Sequence, residues 1–150
     1  MARATCDRAT GHFFQVGTLM IFRTSMVAVF VGLAPFTTQA AGNVVEGATV
    51  FKKCVACHNA DKPENKIGPH LLGIIGRRAG SVESYVSYSE AMKTAGNQGL
   101  VWDQGKLAEY LTAPKKFLPG NKMSFTGLKS PEDITNLEAY LASQGESQPK

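Results

Sequence analysis

The sequence predicts an all-α fold: N- and C-terminal helices with shorter helices between them, joined by long loops. Three observations carry that expectation. Ser130-Pro131-Glu132-Asp133 joins a capping serine, a proline in the first helical position and two early acids, and Ile134, Leu137 and Leu141 follow at helical spacing. Asp103 stands where it can cap a segment carrying Leu107, Tyr110 and Leu111 on one face. No alternating apolar and polar pattern long enough for a strand occurs anywhere.

In chain order, the first helix is expected from Glu46 to Cys57, acidic at its start, with Ala48, Phe51 and Val55 at spacings of three and four. A short helix over Ser89 to Ala95 comes next, and Pro114 ends the helix that Asp103 begins. Gly145 is expected to end the last helix. The stretch from Asn59 to Ser87, rich in Gly, Pro and charge, is too long for a structureless loop in a compact domain unless it wraps something.

The chain has 150 residues, 43% hydrophobic and 19% charged, which suits one folded domain rather than a disordered one. Its 16 basic and 12 acidic residues are scattered rather than gathered in a block, so a nucleic-acid partner is not expected. Three cysteines are too few for a disulfide-dense scaffold.

Residues 1 to 40 read as an export signal. Met26 to Ala34 is a short apolar run preceded by Arg23 and followed by Thr38-Gln39-Ala40, small residues at the positions a signal peptidase reads. The run is far below the ~20 apolar residues of a membrane span, so cleavage after Ala40 is expected, with no stable membrane insertion afterwards. The translation start is open among Met1, Met20 and Met26. Cleavage would delete Arg3, Arg8, Arg23 and Asp7 and leave 13 basic and 11 acidic residues in a domain of residues 41 to 150. Cys6 and His12 would go too, so the domain's chemical inventory is Cys54, Cys57, His58 and His70, in an oxidising compartment.

Cys54-Val55-Ala56-Cys57-His58 is the attachment pattern of c-type haem. On one helical turn two thiols reach the two vinyl groups of a porphyrin, and the adjacent imidazole falls under the iron. A thioredoxin-like pair would have no use for His58 and would need a strand and helix around it. A zinc site would need a second ligand pair at finger-like spacing, and a disulfide across two residues would be short and strained. One covalent haem c also gives the Asn59 to Ser87 loop something to wrap. For the sixth ligand the candidates are Met92, Met123 and His70. Met92 lies in a helical-looking stretch where methionine usually fills a core, and His70 is close to His58 in sequence. Met123 lies in Leu118-Pro119-Gly120-Asn121-Lys122-Met123-Ser124-Phe125, a loop shaped by Pro and Gly, and is the expected ligand.

With the haem motif, Gly68-Pro69-His70-Leu71-Leu72-Gly73, Gly76-Arg77-Arg78-Ala79-Gly80, Trp102, Tyr110-Leu111 with Pro114-Lys115-Lys116, and Pro119-Gly120-Asn121-Lys122-Met123, the sequence resembles class I cytochrome c of the mitochondrial-like bacterial type, from about Gly42 to Ser143. The resemblance implies the cytochrome c fold around one covalent haem, with His58 and Met123 as axial ligands and the Pro69 carbonyl accepting from the other ring nitrogen of His58. It implies that Arg77, Tyr88 and Trp102 lie near the haem propionates and Tyr110 beside the methionine ligand. His70 stands where the family often has Asn, and Phe117 where Tyr is common.

A low-spin iron with both axial positions filled passes electrons and leaves no open site. Thioether ligation and an apolar pocket both favour Fe(II), which raises the reduction potential. The expected function is a soluble, monomeric periplasmic electron carrier, not an enzyme, shuttling one electron between a quinol-oxidising complex or dehydrogenase and a terminal oxidase or reductase. Lys53, Lys66, Lys115, Lys116, Lys122 and Lys129 come from segments that the resemblance puts around the exposed haem edge, where they would steer acidic redox partners. Each alone reads equally as ordinary solvated surface. Two alternatives remain: a haem peroxidase or gas-binding protein, in which Met123 is off the iron, and a dedicated electron-accepting subunit of one dehydrogenase. Fast carbon monoxide binding and tight co-purification with a single partner, respectively, would mark them.

Overall fold

Asn43 begins the first helix, α1 (Val44–Phe51), by accepting on its side-chain oxygen from the backbone N–H groups of Val45 and Glu46 at 2.9 and 3.2 Å. The computed structural model describes residues 41–146, with side chains to residue 145. The chain divides into two units, Met1–Thr37 and Thr38–Lys150, and every element here belongs to the second. The segment expected to be an export signal, with Cys6 and His12, lies outside the described residues, as does the polar tail beyond residue 146.

The sequence placed the start of α1 at Glu46 and its end at Cys57, and both boundaries differ. The Asn43 cap starts it two residues earlier. It stops at Phe51 because the N–H groups of Lys52, Lys53 and Cys54 bond to carbonyls only three residues back, tightening the coil. A separate turn follows, in which Cys57 N–H and His58 N–H both bond to the Cys54 carbonyl, at 3.0 and 2.9 Å.

α2 (Glu90–Asn97) is capped by the Ser89 hydroxyl, which accepts from Met92 N–H at 3.1 Å. α3 (Gln104–Thr112) is capped by Asp103, which accepts from Lys106 N–H at 2.7 Å. A one-turn helix, α4 (Pro114–Phe117), follows at once; the same Pro114 that cannot continue α3 suits the first position of a new helix. α5 (Pro131–Glu146) starts as expected, with the Ser130 hydroxyl accepting from Asp133 N–H at 3.2 Å. Gly145 does not end it. That glycine is inside the helix, where a Cβ would lie 3.2 Å from the Gly73 α-carbon, so close backbone approach rather than helix termination explains it.

α1 crosses α5 with Gly47 at the contact. A Cβ there would sit 2.7 Å from that of Tyr140 and inside the contact distance of the Asn136 carbonyl. Phe51 packs on Tyr140 with ring centroids 5.3 Å apart, and Leu137 and Leu141 are fully enclosed. The core continues through Ile74, Trp102, Leu107, Tyr110, Leu111, Leu128 and Ile134. Residues 59–87 form no helix, and among the described residues the extended pairing is one antiparallel bridge, Arg78 with Val101. No helix among those residues is long and apolar enough to cross a membrane.

Candidate functional site

The turn from Cys54 to His58 carries both thiols and the imidazole on one short segment, and the thiols are free rather than joined to each other. Burial pushes the Cys54 thiol pKa up, with Lys53 opposing and Cys57 adding to the rise. Three bonds strap the next loop onto this turn: Gly68 N–H to the Cys57 carbonyl at 2.9 Å, Leu71 N–H to the Asn59 carbonyl at 2.7 Å, and Lys66 Nζ to the Val55 carbonyl at 2.6 Å. The strap brings the Pro69 carbonyl 2.6 Å from His58 Nδ1. A carbonyl only accepts, so Nδ1 carries the proton and Nε2 keeps its lone pair. Burial lowers the His58 pKa; the Pro69 carbonyl opposes this, and Lys66 and Arg77 push the same way as burial. The ring is therefore oriented as a metal ligand must be, and its burial disfavours the charged form.

Gly68 makes that approach possible. Its missing side chain would lie 2.8 Å from Nδ1 and 2.9 Å from Nε2 of His58. His70, beyond Pro69, donates its backbone N–H to the Asn65 side chain at 3.0 Å, while its own Nδ1 is buried without a hydrogen-bond partner among the described residues. Burial, aided by Arg77, lowers the His70 pKa.

Arg77 donates to the carbonyls of His70 and Leu72, at 2.8 and 3.2 Å. Burial lowers its pKa and Tyr88 opposes; burial likewise raises the pKa of Tyr88, whose ring meets Tyr85 edge-on at 4.9 Å. The bridge region joins this group to the next: Trp102 N–H donates to the Arg77 carbonyl and Gly76 N–H to the Trp102 carbonyl, both at 2.9 Å. Buried Trp102 packs on Tyr110 at 5.0 Å and on Phe117 at 6.2 Å. Tyr110 in turn donates its hydroxyl toward Met123 Sδ at 3.9 Å, and burial pushes the Tyr110 pKa up to about 12. Met123 is half-buried against the core, together with Cys54, Leu71, Ile75, Leu118 and Phe125. Met92 also packs on that core, from α2.

The basic side chains are less uniform than a ring of free charges. Lys53 pairs with Asp133 at 3.0 Å, Lys66 holds the Val55 carbonyl, Lys115 the Asn121 carbonyl at 2.7 Å and Lys122 the Ser87 carbonyl at 3.3 Å. Lys116 and Lys129 are exposed. Sequence reasoning missed two residues here: Gly68 as the seat of the imidazole, and Asn121, 4% exposed and hydrogen-bonded on every polar atom of its side chain. Asn121 follows Pro119-Gly120, and asparagine after Pro-Gly is a turn signal that could have singled it out.

The sequence profile of the cytochrome c family matches residues 44–145. The chain is 50% identical to a cytochrome c2 from Agrobacterium tumefaciens (strain II Chrys) over 109 residues, 72% of this chain and 97% of that protein. It is 48% identical over 105 residues to a cytochrome c from Gibberella zeae, covering 69% and 95%. The fold is similar to that of cytochrome cH from Methylobacterium extorquens, with a TM-score of 0.61 at 40% identity, over 68% of this chain and 99% of the other. The chain belongs to the cytochrome c family. It is a single-haem electron carrier and not an enzyme. The family binds one haem c covalently through a Cys-x-x-Cys-His segment, and Cys54 and Cys57 have that spacing. The residues fit the group: two free thiols on one turn, an oriented imidazole beside them, and a thioether packed on the core.

Proposed function

We propose that this chain is a soluble, monomeric periplasmic carrier, exported with loss of residues 1–40, that takes one electron from a quinol-oxidising complex or dehydrogenase and passes it to a terminal oxidase or reductase. His58 and Met123 would bind the haem iron. The observation that carries this reading is the 2.6 Å bond from His58 Nδ1 to the Pro69 carbonyl, which leaves Nε2 as the donor. The Tyr110 hydroxyl directed at Met123 Sδ supports the second ligand, because it selects one orientation of an otherwise flexible side chain.

Haem supplies a one-electron Fe(III)/Fe(II) couple when bound. The protein's residues would hold these two donors in place, so that little rearrangement accompanies transfer. Pro69 and Gly68 fix the imidazole, Tyr110 and Asn121 the thioether side, and Arg77, Tyr88 and Trp102 form the polar edge suited to propionates. Exposed Lys116 and Lys129, with the lysines latched to nearby carbonyls, give a basic surface for brief encounters with acidic partners.

The test is the visible spectrum of the exported protein in both oxidation states, with a denaturing gel stained for covalent haem and sequencing of the mature N-terminus. The expected outcome is haem retained on the polypeptide, a start at Ala41, and a ferric spectrum carrying the weak far-red sulfur-to-iron band. A high-spin spectrum without that band, with rapid carbon monoxide binding when reduced, would move the peroxidase or gas-binding reading to the front. Charge reversal at Lys116 and Lys129 is expected to flatten the salt dependence of oxidation by the partner oxidase without altering the spectrum.

A further inference from the structure

The loop that presents Met123 is tied down by one buried side chain. Asn121 Nδ2 donates to the carbonyls of Pro114 and Leu118, at 2.9 and 2.7 Å, and its Oδ1 accepts from Met123 N–H at 3.0 Å. Its main chain is held too: the N–H bonds to the Leu118 carbonyl at 3.2 Å, and the carbonyl accepts from Lys115 Nζ at 2.7 Å. The residue is 4% exposed, so its amide is shielded from water. The two carbonyls that it grips belong to α4 (Pro114) and to the residue that ends that helix (Leu118). The side chain thus spans from the end of a rigid element to the backbone of Met123, two residues further on.

We propose that Asn121 is the positioning residue for the sixth ligand, setting how readily the Met123 loop lifts away to admit an outside ligand. This rests on the reading of Met123 as an axial ligand. Breaking the clasp leaves the Met123 N–H without its acceptor and takes one of two donors from each of the Pro114 and Leu118 carbonyls while the loop is closed, and opening the loop to water relieves that penalty. The cost therefore falls on the closed state alone, and the opening equilibrium rises.

Imidazole is a suitable probe, because it binds ferric iron only after the thioether has left. In the purified haem-loaded protein, Asn121→Ala is expected to bind imidazole at least tenfold more tightly than the unaltered protein, read by loss of the sulfur-to-iron band. Asn121→Asp keeps the acceptor for Met123 N–H but cannot donate to the two carbonyls, and is expected to fall between. Asn136→Ala, which removes the acceptor of the 2.7 Å bond from Asn43 N–H at the α1 and α5 contact, is expected to stay within twofold. Imidazole affinity within twofold in both Asn121 variants, or an equal rise in Asn136→Ala, would overturn the proposal. Absence of the band in the unaltered protein would instead overturn the assignment of Met123.

Discussion

The Tyr110 hydroxyl stands 3.9 Å from Met123 Sδ, its phenol otherwise enclosed by Trp102 and Phe117. With Met123 on the haem iron, as proposed, a donor aimed at the thioether would draw electron density from the sulfur, weaken its donation to iron and favour the reduced state. Tyr110→Phe is therefore expected to lower the reduction potential by about 20–45 mV, equivalent to about 0.5–1 kcal/mol for a weak sulfur hydrogen bond at 59 mV per tenfold change. The far-red band should persist. Because burial raises the phenol pKa to about 12, the donor stays protonated across neutral pH, and the difference in potential should be constant there. Spectropotentiometry of both proteins checks it; equal potentials would mean that the hydroxyl does not act on the sulfur.

Gly68 and His58 make a second pair whose contact is steric. Gly68→Ala puts a methyl group where the imidazole lies, so the ring must leave the Pro69 carbonyl or the strap of residues 66–71 must move. Forcing a methyl group into a packed site costs about 1–3 kcal/mol. The expected result is a lowered denaturant midpoint and a partly high-spin spectrum, with haem still attached through the thiols. An unchanged spectrum would show that the strap yields instead of the ligand.

Gly47 plays a similar part far from the haem motif. Gly47→Val would separate α1 from α5, because its side chain would meet the Asn136 carbonyl and Tyr140. A loss of about 3 kcal/mol or more in stability is expected by denaturant unfolding, since neither helix can relax without abandoning Phe51 and Leu137 to water. The spectrum of the folded fraction should be unaltered.

These contacts indicate why part of the molecule was readable in advance. Ser89, Asp103 and Ser130 are capping residues whose effect is local, so three helix starts follow from short segments. The haem motif is likewise local. The end of α1 was not readable, because what stops it is a change of hydrogen-bond register after Phe51 that no Gly or Pro announces. Gly145 misled for a related reason: its lack of a side chain serves Gly73, 72 positions away, and local sequence reads it as a helix stop. The lysines show the same limit, since their latches to Val55, Asn121 and Ser87 depend on which carbonyls the fold brings within reach.

Glu138 gives a dependence on pH that the haem motif does not foretell. Its carboxyl is buried in α5 with one oxygen lacking a hydrogen-bond partner, and burial, aided by Asp103 at the start of α3, pushes its pKa up to about 7 against a stabilising contact with the Ala108 backbone. The unfolded chain releases this proton near the model-peptide value of about 4.3, whereas the folded chain holds it to about 7. Between those two values the folded state binds more protons, so stability falls as pH rises, and above pH 7 the whole penalty is in force. Allowing for solvent screening at the seam between two helices, this amounts to about 1–2 kcal/mol. Glu138→Gln keeps the shape and removes the charge. It should match the unaltered protein in urea unfolding at pH 4.5 and exceed it at pH 8 by that amount. Parallel curves for the two proteins across this range would mean that the carboxyl reaches water when it ionises.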